Sequence, residues 1–203
     1  MAKVAGQLTA KVQVNGNHVS NSPLVVNVKP QQMRTTGQFN TKGYSWGAHV
    51  DDDGNIIVCD RGNHRVQVFT RDGDYQYQFG LITQDKFTPY DVITHDGLFY
   101  VSDDNNDVIH VFEKKGNVPT RISTIGGKGS ADGQLNGPWG LAIDNDHHLL
   151  VCDQCNKRVQ KFTLDGRFVG RTCDVIEEPR YITVLKDGQL LVSTDGSGVW
   201  CVK

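Results

Sequence analysis

The sequence predicts an all-β fold assembled from repeated four-stranded units. Three observations predict it: one segment recurs along most of the chain, tight-turn dipeptides fall at fixed offsets within each copy, and apolar stretches are short. The copies are SWGAHVDDDGNIIVCDRGNHRVQVFTRDGDYQYQFG (45–80), PYDVITHDGLFYVSDDNNDVIHVFEKKG (89–116), PWGLAIDNDHHLLVCDQCNKRVQKFTLDGRFVG (138–170) and the weaker PRYITVLKDGQLLVSTDGSGVWCVK (179–203). Asp60, Asp103 and Asp153 mark one slot, which Thr194 fills in the fourth copy, at spacings of 43, 50 and 41 residues. The longest interval contains KKGNVPTRISTIGGKGSADGQ, read as an extended loop. A period of roughly 40–50 residues with β content is that of a β-propeller blade.

Each copy divides into four strands, a to d. Strand a (GLAID-like) ends in an Asp-Gly or Asx-rich turn, as at Asp53-Gly54, Asp96-Gly97 and Asp187-Gly188. Such dipeptides accept positive φ and close tight hairpins. Strand b (NIIVCD, LFYVSD, HLLVCD) is almost continuously apolar, as in a strand covered on both faces. After a polar loop, strand c (RVQVF, VIHVF, RVQKF) alternates with period two, which predicts one wetter face. A second turn, Asp72-Gly73 or Asp165-Gly166, leads to the outer strand d, YQYQFG or RFVG. A β-sandwich would not repeat the same loop residues at the same offsets.

The pattern P-W-G-L-A-I-D, V-C-D-x-x-N-x-R-V-Q-x-F, D-G-x-F, with Asn63-His64-Arg65 in one b–c loop, resembles the NHL repeat. The resemblance covers residues 39–203, at approximately 39–80, 87–127, 134–172 and 176–203. It is strongest in copies one and three. Residues 1–30 are read separately: TAKVQVNGNHVSNSPLVVNV predicts a hairpin of Val12 and Val14, an Asn15-Gly16 turn, then Leu24, Val26 and Val28. It resembles the last two strands of a filamin-type immunoglobulin repeat, with 31–38 as a linker. Filamin-type repeat followed by NHL repeats is the layout of certain tripartite-motif proteins. The resemblance implies a six-bladed ring. Four copies are counted, the last breaking off within strand c, so the expectation is an open arc and a piece of a longer chain. RING, B-box and coiled coil do not occur in these residues. The full-length parent implied would be an E3 ubiquitin ligase, a post-transcriptional regulator, or both.

Charge bounds the partners. Residues 1–33 carry Lys3, Lys11 and Lys29 and no acid, while 34–203 hold 18 basic against 23 acidic residues, a balance of −5. That acidity disfavours strong generic nucleic-acid affinity. No apolar run reaches the roughly 18–20 residues of a membrane span, and the N-terminus lacks the apolar core of a signal peptide. Five cysteines without framework spacing favour reduced thiols, hence a cytoplasmic setting.

Strand order places the starts of strands a and the b–c loops on one rim and the a–b and c–d turns on the other. The first rim is the candidate surface for a protein partner or for single-stranded or stem-loop RNA. Its residues are Trp46, Tyr90, Trp139 and Arg180 at the channel mouth, with Arg61, Asn63, His64, Arg65, Asn106, Asn156, Lys157 and Arg158 outside them. Aromatics can stack bases, amides read edges and Arg holds phosphate, and the family resemblance implies use of this rim. Against that, the Trp side chains can plug the channel, Asp60–Arg65 and Asp153–Arg158 can hold loop shape, and Asp103, Asp104 and Asp107 repel phosphate. A protein scaffold without RNA binding is therefore the alternative.

The second rim is acidic, with Asp51, Asp52, Asp53, Asp144 and Asp146. Cys152-x-x-Cys155 lacks the further ligands zinc needs, and His147-His148 reads as a solvated turn. No cofactor, metal or small-molecule substrate is expected. Some propellers of similar shape are metal-dependent lyases or lactonases. The inward positions of strands a offer only His49 as a polar candidate, too little for a catalytic site.

Overall fold

A computed structural model describes residues 7–10, 13–14, 17–18, 24–27, 44–80, 87–172, 175–195 and 198–202. The chain separates into two compact units, Met1–Gln38 and Phe39–Lys203. In the first, β1 (Gln7–Ala10) pairs antiparallel with β4 (Leu24–Asn27), and β2 (Gln13–Val14) with β3 (Asn17–His18). The Asn15-Gly16 turn expected from the sequence lies outside the described residues. The outer pairing differs from expectation, because Leu24–Asn27 partners Gln7–Ala10 and not the Val12–Val14 stretch. The immunoglobulin-type assignment rests on the sequence pattern alone. The 31–38 linker lies outside the described residues.

The second unit is a four-bladed propeller arrangement. Blade 1 is β5 (Ser45–Val50), β6 (Ile56–Asp60), β7 (Arg65–Phe69) and β8 (Tyr75–Phe79). Blade 2 is β9 (Pro89–His95), β10 (Leu98–Asp103), β11 (Val108–Glu113) and β12 (Thr120–Gly126). Blade 3 is β13 (Pro138–Ile143), β14 (His148–Asp153), β15 (Arg158–Thr163) and β16 (Phe168–Arg171). Blade 4 has β17 (Pro179–Val184), β18 (Leu190–Thr194) and β19 (Val199–Val202). All pairings are antiparallel neighbours in sequence, as tight turns require. The outer strand of blade 2 corrects an expectation: Thr120–Gly126 sits inside the stretch read as a loop. Only Ile125 of that strand is buried, so its polar, solvent-facing pattern carries little strand signal.

Alternation explains the continuous apolar runs of strand b. In β10, Phe99 and Val101 join the cluster shared with blade 1, while Tyr100 joins the one shared with blade 3. In β14, Leu149 and Val151 face blade 2, and Leu150 and Cys152 face blade 4. Each middle blade is thus buried on both faces, and three apolar clusters fill the three interfaces between consecutive blades. Among the described residues none of these clusters joins blade 4 to blade 1. Strand c departs from its predicted wet face: Gln67, His110 and Gln160 are buried with the apolar residues.

Strands a lie closest together. A Cβ on Gly140 would stand 2.5 Å from the Arg180 carbonyl oxygen and 2.8 Å from the Tyr181 Cα, both backbone atoms of the next blade. Gly140→Ala is therefore expected to cost about 1–3 kcal/mol by forcing blades 3 and 4 apart. Gly170→Ala, which meets nothing within 4 Å, is the control. Equal urea-unfolding midpoints for the two variants would contradict this packing.

Candidate interaction rim and channel

The b–c loops are built around three buried carboxylates. Asp60, Asp103 and Asp153 each end a strand b and are fully buried. Three residues on, an Asn amide returns to the carboxylate: Asn63 to Asp60 (2.9 Å), Asn106 to Asp103 (2.7 Å) and Asn156 to Asp153 (2.9 Å). The next residue takes the left-handed conformation, with φ of 56° at His64, Asp107 and Lys157 alike. The residue after that is Arg65 or Arg158, whose Nε donates to the same aspartate at 2.8 Å in both blades. Blade 2 has Val108 there and supplies His110 instead, Nε2 to Asp103 at 3.1 Å. Burial opposes ionisation of Asp103, but hydrogen bonds from His110, Asn106 and Thr88 outweigh it and hold its carboxyl below the usual range. In blade 3 the matching position is Gln160, which donates to Asp153 at 2.9 Å.

Asn63, Asn106, Asn156, Arg65 and Arg158 therefore turn inward onto these carboxylates. Arg158 is buried and also donates to the carbonyls of Ala131 and Gln134. Sequence reasoning missed the position two beyond the Arg, where Gln160 and His110 complete the network. Its signal was present as a polar residue repeating inside an otherwise apolar strand.

The channel mouth carries an aromatic ladder. The Tyr90 ring lies 5.2 Å from Trp46 and is stacked on Trp139 at 4.5 Å with planes 11° apart. Cations close both ends, with Arg61 over Trp46 (5.8 Å) and Arg180 over Trp139 (4.9 Å). Tyr90, expected at the surface, is instead fully buried between its neighbours, whereas Trp46 is 44% and Tyr181 42% exposed. The five sequence-predicted cations all have carboxylate partners. Arg61 pairs with Asp104 (2.8 Å), Lys157 with Glu177 (2.7 Å), Arg180 with Asp195, and Arg65 and Arg158 with their loop aspartates. The ring of His64 donates from Nδ1 to the Phe87 carbonyl at 2.7 Å.

Below the mouth, strands a of all four blades line an open cavity of about 610 Å³. Its lining corrects the sequence reading: Asp91, Thr94, His95 and Thr183 join His49 as polar groups. His49 Nε2 lies 3.0 Å from Thr94 Oγ1, and burial lowers its pKa against the pull of Asp51 and Asp52. Asp91 Oδ2 accepts the Leu141 N–H of blade 3 at 2.9 Å. In the Cys152-x-x-Cys155 pair, Cys152 is buried, which pushes its thiol up, while Cys155 is exposed. Cys59, Cys152, Cys155 and Cys201 are free thiols.

The repeat unit, its buried Asp and its returning Asn and Arg define an NHL-repeat β-propeller. The NHL repeat family matches residues 46–69 and 135–162, strands a to c of blades 1 and 3. Among curated relatives, E3 ubiquitin-protein ligase TRIM71 of Rattus norvegicus is 29% identical over 129 residues, covering 62% of this chain and 12% of that protein. E3 ubiquitin-protein ligase TRIM32 of Homo sapiens is 26% identical over 168 residues, covering 82% and 20%. The chain is similar to these TRIM-NHL proteins and spans at most a fifth of the length of these two. A crystal structure of virginiamycin B lyase from Staphylococcus aureus superposes with a TM-score of 0.61 at 16% identity, over 81% of this chain and 57% of that one. That likeness is one of fold. Among the described residues no helix is long and apolar enough to cross a membrane.

Proposed function

We propose that this chain is the recognition module of a tripartite-motif NHL protein, one that binds a protein substrate or partner across the aromatic rim and performs no catalysis itself. The observation that carries this reading is the ladder of Trp46, Tyr90 and Trp139, with Tyr90 buried between the tryptophans and Trp46 and Tyr181 open to solvent. Rigid aromatics presented on a preformed surface are typical binding hot spots. The paired cations favour protein over RNA. A phosphate would have to displace Asp104, Asp195 or Glu177 from Arg61, Arg180 or Lys157, whereas a polypeptide can join these pairs at their polar edge. A ubiquitin-ligase or post-transcriptional role belongs to the full-length parent in this reading. The free thiols fit a reducing, cytoplasmic setting.

RNA binding is the second reading, supported by the 4.5 Å stack and its capping arginines. A photo-crosslinker at Tyr181, compared with one at Asp146 on the opposite rim, separates the readings in cells. Protein adducts from position 181 alone are expected, and Trp46→Ala should weaken them by about 2 kcal/mol, roughly thirtyfold in affinity. Equal adducts from both rims would sink the rim assignment. RNA adducts lost in Trp46→Ala would replace protein by RNA as the ligand.

A further inference from the structure

A second site lies away from the rim, where the a–b turns of blades 2 and 3 meet. His95 ends β9 and His147 sits in the turn before β14, so the two imidazoles come from different blades. His95 Nε2 and His147 Nδ1 face each other at 3.1 Å, with ring centroids 5.0 Å apart. The rings therefore meet through their nitrogens and not face to face. The carboxylate Oδ2 of Asp96 stands 3.5 Å from the same His95 nitrogen.

We propose that His95 and His147 bind one divalent transition-metal ion of the zinc, cobalt, nickel or copper type. Three features carry this. First, two nitrogens each about 2.1 Å from one ion stand roughly 3.0–3.4 Å apart at angles between square and tetrahedral, and the observed separation falls in that range. Second, tight turns fix the backbone that carries or follows both residues. Asp96 and Gly97 both take positive φ, 48° and 75°. His147 has φ 60°, and its N–H donates to the Asp144 carbonyl at 3.1 Å. Third, His147 is exposed, so an ion reaches the pair from solvent, and the negative turns of this rim favour a cation. Imidazole nitrogen selects this group of metals over calcium or magnesium.

Nearby, the trio Asp144, Asp146 and His148 brings its ligand atoms within 4.8 Å of one another. Asp144 is already engaged there, by Lys161 at 2.7 Å and by the N–H groups of Asp146 and His148 at 2.9 Å each. The His95 and His147 nitrogens share one hydrogen bond with each other, which a bound ion would replace. A bound ion would stitch blade 2 to blade 3.

The test is a titration of the whole chain with Co²⁺ as an optical probe, followed by displacement with Zn²⁺. It is made in a Cys155→Ser, Cys201→Ser background, because these exposed thiols take the same ions. One equivalent is expected, together with a higher melting temperature in Zn²⁺. His147→Asn keeps a residue that tolerates left-handed backbone. It should weaken binding by about tenfold or more and abolish the thermal shift, as should His95→Gln, while His148→Asn leaves both unchanged. Unchanged affinity in His147→Asn, or no Co²⁺ response in the parent, would overturn the proposal. Circular dichroism of each variant confirms that a lost response is not lost folding.

Discussion

Replacing Asp153 by alanine is expected to destabilise the propeller by about 3–5 kcal/mol, because it leaves a buried cation with only the distant, exposed carboxylate of Asp132 at 3.8 Å. The Asp153 carboxylate accepts from the Asn136 N–H at 2.8 Å, from Asn156, from Arg158 Nε at 2.8 Å and from Gln160 at 2.9 Å. Arg158 is only 8% exposed at its side chain, so water cannot replace the lost partner. The same change in blade 1 has an internal contrast. Arg65 is 26% exposed and also reaches Gln78, so on Asp60→Ala it rehydrates and the cost is smaller. Urea unfolding of both variants measures the difference. A loss below about 1 kcal/mol at Asp153 would show that the network shapes the loop without supporting the fold.

Much of this fold was legible because its determinants are local. Asp-Gly turns, the marker Asp and the unbroken apolar run of strand b each occupy a few consecutive residues, and each has one physical meaning wherever it recurs. The returning Asn and Arg were legible as positions, and their donors are bound inward to the loop aspartates in the structure. The residues that escaped notice depend on contacts between strands or blades. Gln160 and His110 look like the wet face of an alternating strand, yet a buried carboxylate across the hairpin gives them a partner and draws them in. Tyr90 looks like a surface aromatic until Trp46 and Trp139 close over it. Strand d of blade 2 hides because an outer edge strand buries almost nothing. The channel polarity was missed for a related reason. Which strand-a side chains face the channel depends on how four strands from four blades converge, and no single repeat contains that information.

Asp91 is the sharpest of these cases and has a pH signature. It occupies the slot that holds Gly47 in blade 1 and Gly140 in blade 3, where the backbones of strands a approach closely. Its carboxylate is wedged between blades: Oδ2 accepts the Leu141 N–H of blade 3 and Oδ1 the Val92 N–H, both at 2.9 Å. A Cβ built on Gly47 would stand 2.5 Å from Oδ1. Burial raises the Asp91 pKa from its ordinary 3.8 to about 6, and the two backbone N–H groups recover only part of that cost. The folded state thus holds the proton more tightly than the unfolded chain does. The stability this contributes is present below about pH 4, falls as pH rises through the window, and is gone above about pH 6, a change of about 2–3 kcal/mol. Asp91→Asn keeps an oxygen acceptor for Leu141 and does not titrate. The other acids titrate in both proteins and cancel in the difference. The stability of Asp91→Asn relative to the parent should therefore improve by about 2–3 kcal/mol between about pH 4 and pH 7, read by urea unfolding across that range. A flat difference would mean that channel water solvates the carboxylate. A difference of opposite sign would mean that the Leu141 and Val92 hydrogen bonds outweigh burial, making ionised Asp91 a clip between blades 2 and 3 and not a cost that the channel tolerates.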